Sequence, residues 1–276
     1  MADLPSDFFT LRLEGSFVVT GASRGVGGRC IAPAFGKAGV RGIVLTATNL
    51  ENLRATEENL NRQYPPVQTL VVSADTTDEA AVANLFEQVK SRFGHADILV
   101  NNAGVSSGGG SLDQENSNAW WRNFEVNVKG SFLVAKYFLQ QLPTPSTSAN
   151  IVNVVSNAAW EVFPTLSGYS ISKLALLQLG AHLAAGYPEV TTTSLHPGFV
   201  HTDMLPDFFL HIRQSSAELA GGVSVWLCTE RARFLNGRLM IAEWDVDELL
   251  QKQSEIEREG ILRVDILDKF GPEQFQ

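Results

Sequence analysis

The sequence predicts an α/β fold, a single doubly wound domain with a mostly parallel seven-stranded sheet flanked by helices. Three observations support this prediction. Short apolar runs alternate with longer helical patterns along most of the chain. The first five runs are uniformly apolar, which is typical of strands that are covered on both faces. The chain has 276 residues, of which 44% are hydrophobic, so it is long enough to bury a large core.

Seven apolar runs are predicted strands, at residues 16–20, 42–46, 69–73, 97–101, 151–155, 191–195 and 238–242. The clearest predicted helices are 49–62 and 78–93. In the second of these, apolar residues recur every four positions, and Thr77 or Asp78 can cap its start. Strand–helix–strand units of this length form right-handed crossovers between parallel strands. We therefore expect ligands to bind beyond the carboxyl ends of the strands.

Composition excludes several classes of protein. With 30 acidic and 21 basic residues the net charge is −9, so we expect no nucleic-acid partner. Cys30 and Cys228 match neither a metal spacing nor a disulfide scaffold, so we expect no metal site. The sequence shows no signal peptide and no run long enough for a membrane helix, so we expect a cytoplasmic protein. Residues 1–276 are predicted to be one domain, with 245–276 a charged C-terminal extension.

A glycine-rich turn follows the first predicted strand, with the spacing GxxxGxG. Residues without Cβ let the chain turn sharply and let its backbone approach a pyrophosphate, and the following helix N-terminus offers free N–H groups. Pro33 lies within the expected helix, so either the helix bends there or the expected boundary is wrong. The candidate cofactor-binding residues of the turn are Gly21, Ser23, Arg24, Gly25, Val26 and Gly27.

Five motifs occur in order along the chain: TGASRGVG at 20–27, NNAG at 101–104, Ser156, YSISK at 169–173 and HPG at 196–198. Together they resemble the short-chain dehydrogenase/reductase family, in its compact TGxxxGxG and YxxxK branch. The resemblance extends from about residue 15 to residue 237, and the whole chain resembles fungal natural-product members. It implies a Rossmann-like fold and an oxidoreductase that transfers hydride between a nicotinamide cofactor and a carbonyl or alcohol.

The candidate catalytic residues include Tyr169 and Lys173, which share a helix face because they are four positions apart. A tyrosine has an ordinary pKa of about 10. We expect the nearby ammonium to lower the pKa of Tyr169, so that its phenol can donate a proton to a carbonyl or accept one from an alcohol. The resemblance implies that Ser156 holds the substrate oxygen, and that Asn127 positions a water-linked proton path to Lys173.

The resemblance also assigns the nicotinamide cofactor. Ala47 occupies the position where members that prefer NAD carry Asp, and Thr48 the position where many that prefer NADP carry Arg. Because no carboxylate would repel a 2′-phosphate, we predict NADP, with NAD as the alternative. Arg24 would face that phosphate or be a solvated turn residue, and Asp75 would contact adenine or only shape a turn. The cofactor contacts implied beyond the glycine turn are Thr48, Asn49, Asp75, Asn102, Ala103, Gly104, Tyr169, Lys173, Pro197, Gly198, Val200 and Thr202.

The substrate side is predicted to be apolar. Trp160 and Phe163 are expected near the reacting carbon, and residues 107–111 form a candidate flexible rim. A mobile apolar lid is predicted within 199–214, unless these side chains simply pack a core; its residues are Met204, Leu205, Phe208, Phe209 and Leu210. The apolar helices around Asn127 and Tyr169 pair in the family, which implies a homodimer or homotetramer, with a monomeric core as the alternative.

These observations favour an NADPH-dependent reductase of a largely apolar ketone, with a place in secondary metabolism. An NAD-dependent alcohol dehydrogenase on the same scaffold is the nearest alternative. A non-redox isomerase or cyclase, or a cofactor-binding regulator, forms a second class of alternatives. The complete set of Asn127, Ser156, Tyr169 and Lys173 argues against this second class, because a regulator does not need a tuned phenol.

Overall fold

A parallel sheet organises residues 13–202 and 214–265, which the computed structural model describes. The strand order is β3-β2-β1-β4-β5-β6-β7, and each neighbouring pair is parallel. The predicted fold class is confirmed, with a described sheet that is parallel throughout rather than mostly parallel. The strands are β1 (Ser16–Thr20), β2 (Gly42–Ala47), β3 (Gln68–Ser73), β4 (Ile98–Asn101), β5 (Ala149–Val154), β6 (Val190–His196) and β7 (Leu239–Ile241).

Helices cover both faces of this sheet. Within the described residues they are α1 (Ala32–Ala38), α2 (Leu50–Gln63), α3 (Glu79–Phe93), α4 (Ser117–Phe124), α5 (Ser131–Gln140), α6 (Ser167–Gly186), α7 (Ala217–Trp226), α8 (Val246–Gln251) and α9 (Gln253–Glu259). One core contains Phe17, Phe35 and Trp226, and so joins β1 to α1 and α7. A second core contains Val18, Leu85 and Phe138, on the side of α3 and α5. Neighbouring β1 residues thus enter different cores, which explains why this strand is uniformly apolar.

The third strand departs from that pattern. β3 lies at the sheet edge and pairs only with β2. Val72 is buried, whereas Gln68 and Ser73 are exposed. The expectation that all of the first five strands are covered on both faces is therefore wrong for β3, the edge strand, whose side chains are exposed at both ends and mostly half-buried between them.

The two clearest predicted helices form within one residue of their predicted ends. Asn49 caps α2 by accepting a hydrogen bond from the Asn52 amide at 2.9 Å. Asp78 caps α3 by accepting from the amides of Ala80 and Ala81 at 2.9 and 3.3 Å. These side chains satisfy N–H groups that the first turn of a helix leaves without carbonyl partners.

The helix after the glycine turn begins with a π-helical segment, Val26–Ile31, that leads directly into α1. Pro33 lies in the first turn of α1, where its missing N–H removes the least helical hydrogen bonding. Of the two expectations for Pro33, the wrong boundary is therefore the one observed, because the α-helix begins at Ala32.

The described part of the predicted C-terminal extension packs on the core. Val246, Leu249 and Ile256 are buried in the cluster that contains Trp226. The amide of Leu239 in β7 also donates to the carbonyl of Leu262 at 2.8 Å, so the chain returns beside the last strand. None of the helices within 13–202 and 214–265 has the length and hydropathy needed to cross a membrane.

Candidate active site

A cavity of about 720 Å³ lies at the carboxyl edge of the sheet, beyond the ends of β1 to β6. This is the edge where the sequence predicts ligand binding. Two predicted site residues, Gly27 and Asn127, are not among the lining residues. The predicted residues that line it are Gly21, Ser23, Arg24, Gly25, Val26, Thr48, Asn49, Asp75, Asn102, Ala103, Gly104, Ser156, Tyr169, Lys173, Pro197, Gly198, Val200 and Thr202.

The glycine turn leaves no room for side chains where it meets β4. Gly21 has φ +66°, and a Cβ on it would lie 2.9 Å from the Cα of Ala103. A Cβ on Gly27 would collide with the Asn102 side chain, which explains why Gly27 lies behind the lining. Gly25 has φ +57° and faces the cavity, with only Thr202 near the place of its missing Cβ. This narrow, backbone-lined cradle fits the pyrophosphate of a dinucleotide.

Hydrogen bonds fasten this cradle to the next strand of the sheet. The Thr20 hydroxyl accepts from the amides of Asn102 and Ala103 at 3.0 and 2.9 Å. The Asn102 side chain donates to the Thr20 carbonyl at 2.8 Å. β1 and β4 are neighbours in the sheet, although they are separated by two strands in sequence. Asn102 therefore holds the turn in shape at the point where the strand order reverses.

Three predicted catalytic side chains converge beyond β5. Tyr169 and Lys173 lie one turn apart near the start of α6, and the Lys173 Nζ is 5.8 Å from the centre of the Tyr169 ring. The Lys173 Nζ donates to the carbonyl of Val154, the last residue of β5, at 2.8 Å. Ser156 follows two residues later, and its hydroxyl is hydrogen-bonded to Tyr169. The spacing-based prediction of a shared Tyr169–Lys173 face is thus realised.

Burial dominates the protonation of this group. It raises the pKa of Tyr169 above its ordinary value, although the hydrogen bond with Ser156 acts in the opposite direction. Burial also lowers the pKa of Lys173 to about 8. The structure therefore contradicts the prediction that the ammonium lowers the pKa of the phenol. Both groups have lost water, and desolvation disfavours the charged form of each.

Asn127 lies behind the cavity wall, in a π-helical segment, Glu125–Gly130, between α4 and α5. Its side chain is fully buried; its Oδ1 accepts from the Val105 amide at 2.8 Å. Its Nδ2 donates to the Val105 carbonyl and to the Ser172 hydroxyl, both at 2.9 Å. Asn127 thus braces the loop after β4 against α6, and its predicted part in a proton path stays a prediction.

The far end of the cavity, beyond β2 and β3, is polar. Asp75 shapes a turn by accepting from the amide and hydroxyl of Thr77, both at 2.8 Å, and Arg122 lies 3.8 Å from its other oxygen. Burial alone would raise the pKa of Asp75, but the Thr77 hydrogen bonds and the charges of Arg122 and Lys129 hold it below its ordinary value. Asp75 therefore both shapes a turn and lines the cavity, so the two sequence interpretations are compatible.

The predicted site residues leave out several polar residues of the lining, among them Asn52, Arg122 and Asn157. Asn157 directly follows Ser156, and Arg122 lies one turn before the lining residue Val126, so adjacency to predicted residues was a usable signal. Asn52 lies three residues after Asn49, in the first turn of α2.

The predicted substrate side is described only in part. Phe163 lines the cavity, and the Trp160 ring is 5.8 Å from the His196 ring. The predicted rim is hydrogen-bonded at Ser107, whose amide and carbonyl both bind the Asn123 side chain. Within 13–202 and 214–265 no group of three His, Cys, Asp or Glu side chains is placed to hold a metal ion. The predicted lid residues, Met204, Leu205, Phe208, Phe209 and Leu210, lie outside the described residues.

The parallel sheet and its glycine-lined cavity define a dinucleotide-binding α/β protein. Residues 16–211 match the protein-family model described as short chain dehydrogenase. The chain belongs to this family and is an NAD(P)-dependent oxidoreductase, as the order of its motifs predicted.

A curated relative agrees with this family, and solved structures agree with the fold. The chain is 38% identical over 257 residues to the short chain dehydrogenase tazN of Aspergillus terreus, covering 89% of this chain but 56% of that longer protein. A gluconate 5-dehydrogenase from Burkholderia cenocepacia, in complex with NADP and tartrate, has TM-score 0.76 and 23% identity, covering 85% of this chain and 96% of that one. A single-residue variant of actinorhodin polyketide ketoreductase with NADPH has TM-score 0.74 and 24% identity. The match covers 83% of this chain and 95% of that one.

The lowered pKa of Lys173 can be measured in the protein without cofactor. We expect NMR titration of ¹³C-labelled lysine side chains to show one amine that titrates at about pH 8, because burial disfavours its ammonium form. Lys173→Arg should remove that signal, whereas the exposed-site control Lys90→Arg should leave it in place. If the Lys173 signal titrates with those of exposed lysines, the side chain is not desolvated as described.

Proposed function

We propose that the protein is an NADPH-dependent reductase of a largely apolar ketone, with a place in secondary metabolism. The observation that carries this proposal is the convergence of Ser156, Tyr169 and Lys173 in the same cavity as the glycine cradle. A phenol in that position can deliver a proton to an oxygen held beside a bound dinucleotide.

The chain's own residues account for the binding of a dinucleotide. The backbone at Gly21 and Gly25 would hold the pyrophosphate. Pro197, Gly198, Val200 and Thr202 would hold the nicotinamide end, since they follow β6 and line the cavity beside β5. When bound, the reduced cofactor supplies the hydride. The far polar end, at Asp75, would hold the adenosine.

The protonation state of Tyr169 supports reduction. Its raised pKa keeps the phenol protonated at neutral pH, the form that can donate a proton to a carbonyl oxygen. Ser156 is hydrogen-bonded to that phenol, so its hydroxyl can contact the same substrate oxygen. Oxidation of an alcohol would need the phenolate, which burial disfavours. The NAD-dependent alcohol dehydrogenase therefore stays the alternative.

Two observations support NADPH over NADH. The last residue of β2, Ala47, lines the cavity without offering a carboxylate, so nothing there would repel a 2′-phosphate. Ser23, Arg24, Thr48 and Asn49 line the cavity with hydrogen-bonding groups and one positive charge. The two solved neighbours whose names include NADP or NADPH add support at the level of the fold.

An apolar substrate is supported by the cavity wall around the phenol. Val155, Ala158, Phe163 and Leu166 line the cavity within the segment between β5 and α6. Hydrocarbon surface gains free energy when it leaves water against such walls. The polyketide ketoreductase among the structural neighbours supports a carbonyl substrate of this kind at the level of the fold.

We further propose that the protein is a homodimer or homotetramer. Large apolar side chains are exposed on three helices: Trp121 on α4, Phe132 on α5, and Ile171 and Leu174 on α6. An exposed apolar set of this size is typical of an association surface.

Analytical ultracentrifugation should find a dimer or larger, and Phe132→Asp should shift the population towards the monomer. A monomeric wild-type protein would contradict the proposal.

Tyr169→Phe removes the proposed proton donor and little else. We expect kcat for NADPH-dependent reduction of a cyclic aromatic ketone panel to fall at least about 100-fold, the usual contribution of a general acid. The Kd for NADPH in a fluorescence titration should stay within about twofold, because the ring still fills its place. Tyr187→Phe, at an exposed tyrosine, is the matched control. Cofactor binding without any hydride transfer in the wild type would favour the non-redox alternatives.

Ala47→Asp tests the cofactor preference. A carboxylate at this position should weaken NADPH binding at least about tenfold, since like charges would face each other, while NADH binding is kept or improved. Ala47→Asn has nearly the same shape without the charge and should change NADPH binding much less. Equal weakening of both cofactors by Ala47→Asp would show that residue 47 does not face the 2′ position.

A further inference from the structure

The Ser156 hydroxyl has one proton and two neighbouring acceptors. The hydroxyl donates to one of them, the side-chain Oδ1 of Asn157, at 3.2 Å, and the other is the oxygen of the neighbouring Tyr169 phenol. We propose that Asn157, oriented by Glu161, is a positioning residue that directs the Ser156 proton away from Tyr169. This inference rests on the proposed function, because it concerns the proton donor of the proposed reduction.

The turn after β5 fixes the Ser156 oxygen. The Ala158 amide donates to the Ser156 Oγ at 3.3 Å, and the Ala159 amide donates to the Ser156 carbonyl at 2.9 Å. A hydroxyl can accept two hydrogen bonds but donate only one. With an amide already donating to Oγ, the remaining question is which acceptor receives the single proton.

Glu161 decides how the Asn157 amide is oriented. The Asn157 Nδ2 donates to the Glu161 carboxylate at 3.0 Å, and an ionised carboxylate can only accept. The amide oxygen must therefore face the other way, towards Ser156. The Glu161 amide also donates to the Asn157 carbonyl at 2.9 Å, so one turn of chain keeps the two residues together. Glu161 is exposed, so its charge stays solvated, whereas Asn157 is buried and lines the cavity.

This arrangement favours the protonated phenol. While the Ser156 proton is given to Asn157, the Ser156 oxygen has a lone pair for the Tyr169 hydroxyl. Formation of a phenolate would require the same proton to turn from Asn157 to Tyr169. Asn157 thus competes with the phenolate for one hydrogen bond and keeps Tyr169 ready to donate its proton. The network has a direction because Glu161 prevents the amide from presenting its donor to Ser156.

Other titratable groups surround the network and stay unchanged in the test. Lys173 on α6 and His196 at the end of β6 line the same cavity. The His196 ring also lies 5.8 Å from the ring of Trp160, which is on the segment that follows Asn157. Arg24, Asp75 and Arg122 line the cavity as well. Asp75 follows the edge strand β3, which is separated from β5 by three strands of the sheet.

The test is a ¹⁹F NMR titration of the cofactor-free protein labelled with 3-fluorotyrosine, whose fluorine brings phenol ionisation into a milder pH range. Tyr169→Phe assigns the signal. We expect Asn157→Ala to lower the pH of Tyr169 ionisation by about half a unit to one unit, the equivalent of one hydrogen bond. Glu161→Gln should also lower the pH of Tyr169 ionisation, by no more than Asn157→Ala does. Asn118→Ala, an exposed asparagine on α4, should leave it unchanged.

A double variant separates positioning from a general structural effect. In a Ser156→Ala background, Asn157→Ala should cause no further shift, because the hydroxyl through which it acts is absent. A shift that persists there, or no shift in either single variant, overturns the proposal. Should Asn157→Ala fail to fold, Glu161→Gln gives the same test at an exposed site. A shift in a protein that reduces no ketone would refute the proposed function while leaving the proton network in place.

Discussion

The hydrogen bond between the Lys173 ammonium and the Val154 carbonyl is the contact on which the arrangement of the proposed catalytic residues depends. It joins α6 to the end of β5 at 2.8 Å, away from solvent. Tyr169 lies one helical turn before the lysine, and Ser156 lies two residues after the carbonyl. The phenol and the serine hydroxyl therefore meet because this bond sets the position of the helix along the strand. This hydrogen bond holds the Lys173 ammonium in a buried place, where desolvation lowers its pKa to about 8.

The other half of the site depends on the reversal of strand order. β1 stands between β2 and β4, so the connections from β1 and β4 leave the sheet in different directions and open a crevice. Thr20 and Asn102 close the base of that crevice with their mutual hydrogen bonds. The glycine turn can then approach β4 without side chains between them. Cradle and phenol share one cavity because both lie at the carboxyl edge of the same sheet.

The sequence predicts local features and those with a fixed periodicity well. Uniform apolar runs located the strands, and the four-residue spacing placed Tyr169 and Lys173 on one face. The predicted direction of the Tyr169 pKa shift was wrong, because desolvation depends on how completely the folded chain covers a group. The pair formed by Arg122 and Asp75 joins α4 to the chain after β3, and no local pattern encodes such a contact. The exposed edge of β3 likewise follows from strand order rather than from composition.

The two pKa shifts in the site act together, and this supports the proposed direction of reaction. Near neutral pH the buried lysine is charged and the phenol is protonated, so the pair can give up a proton without first acquiring one. As the pH rises through about 8 the lysine loses its charge, while burial still keeps the pKa of Tyr169 above its ordinary value. An alcohol dehydrogenase would need the phenolate, which burial of Tyr169 disfavours. A site that keeps its phenol protonated over this range is suited to donate a proton to a ketone oxygen.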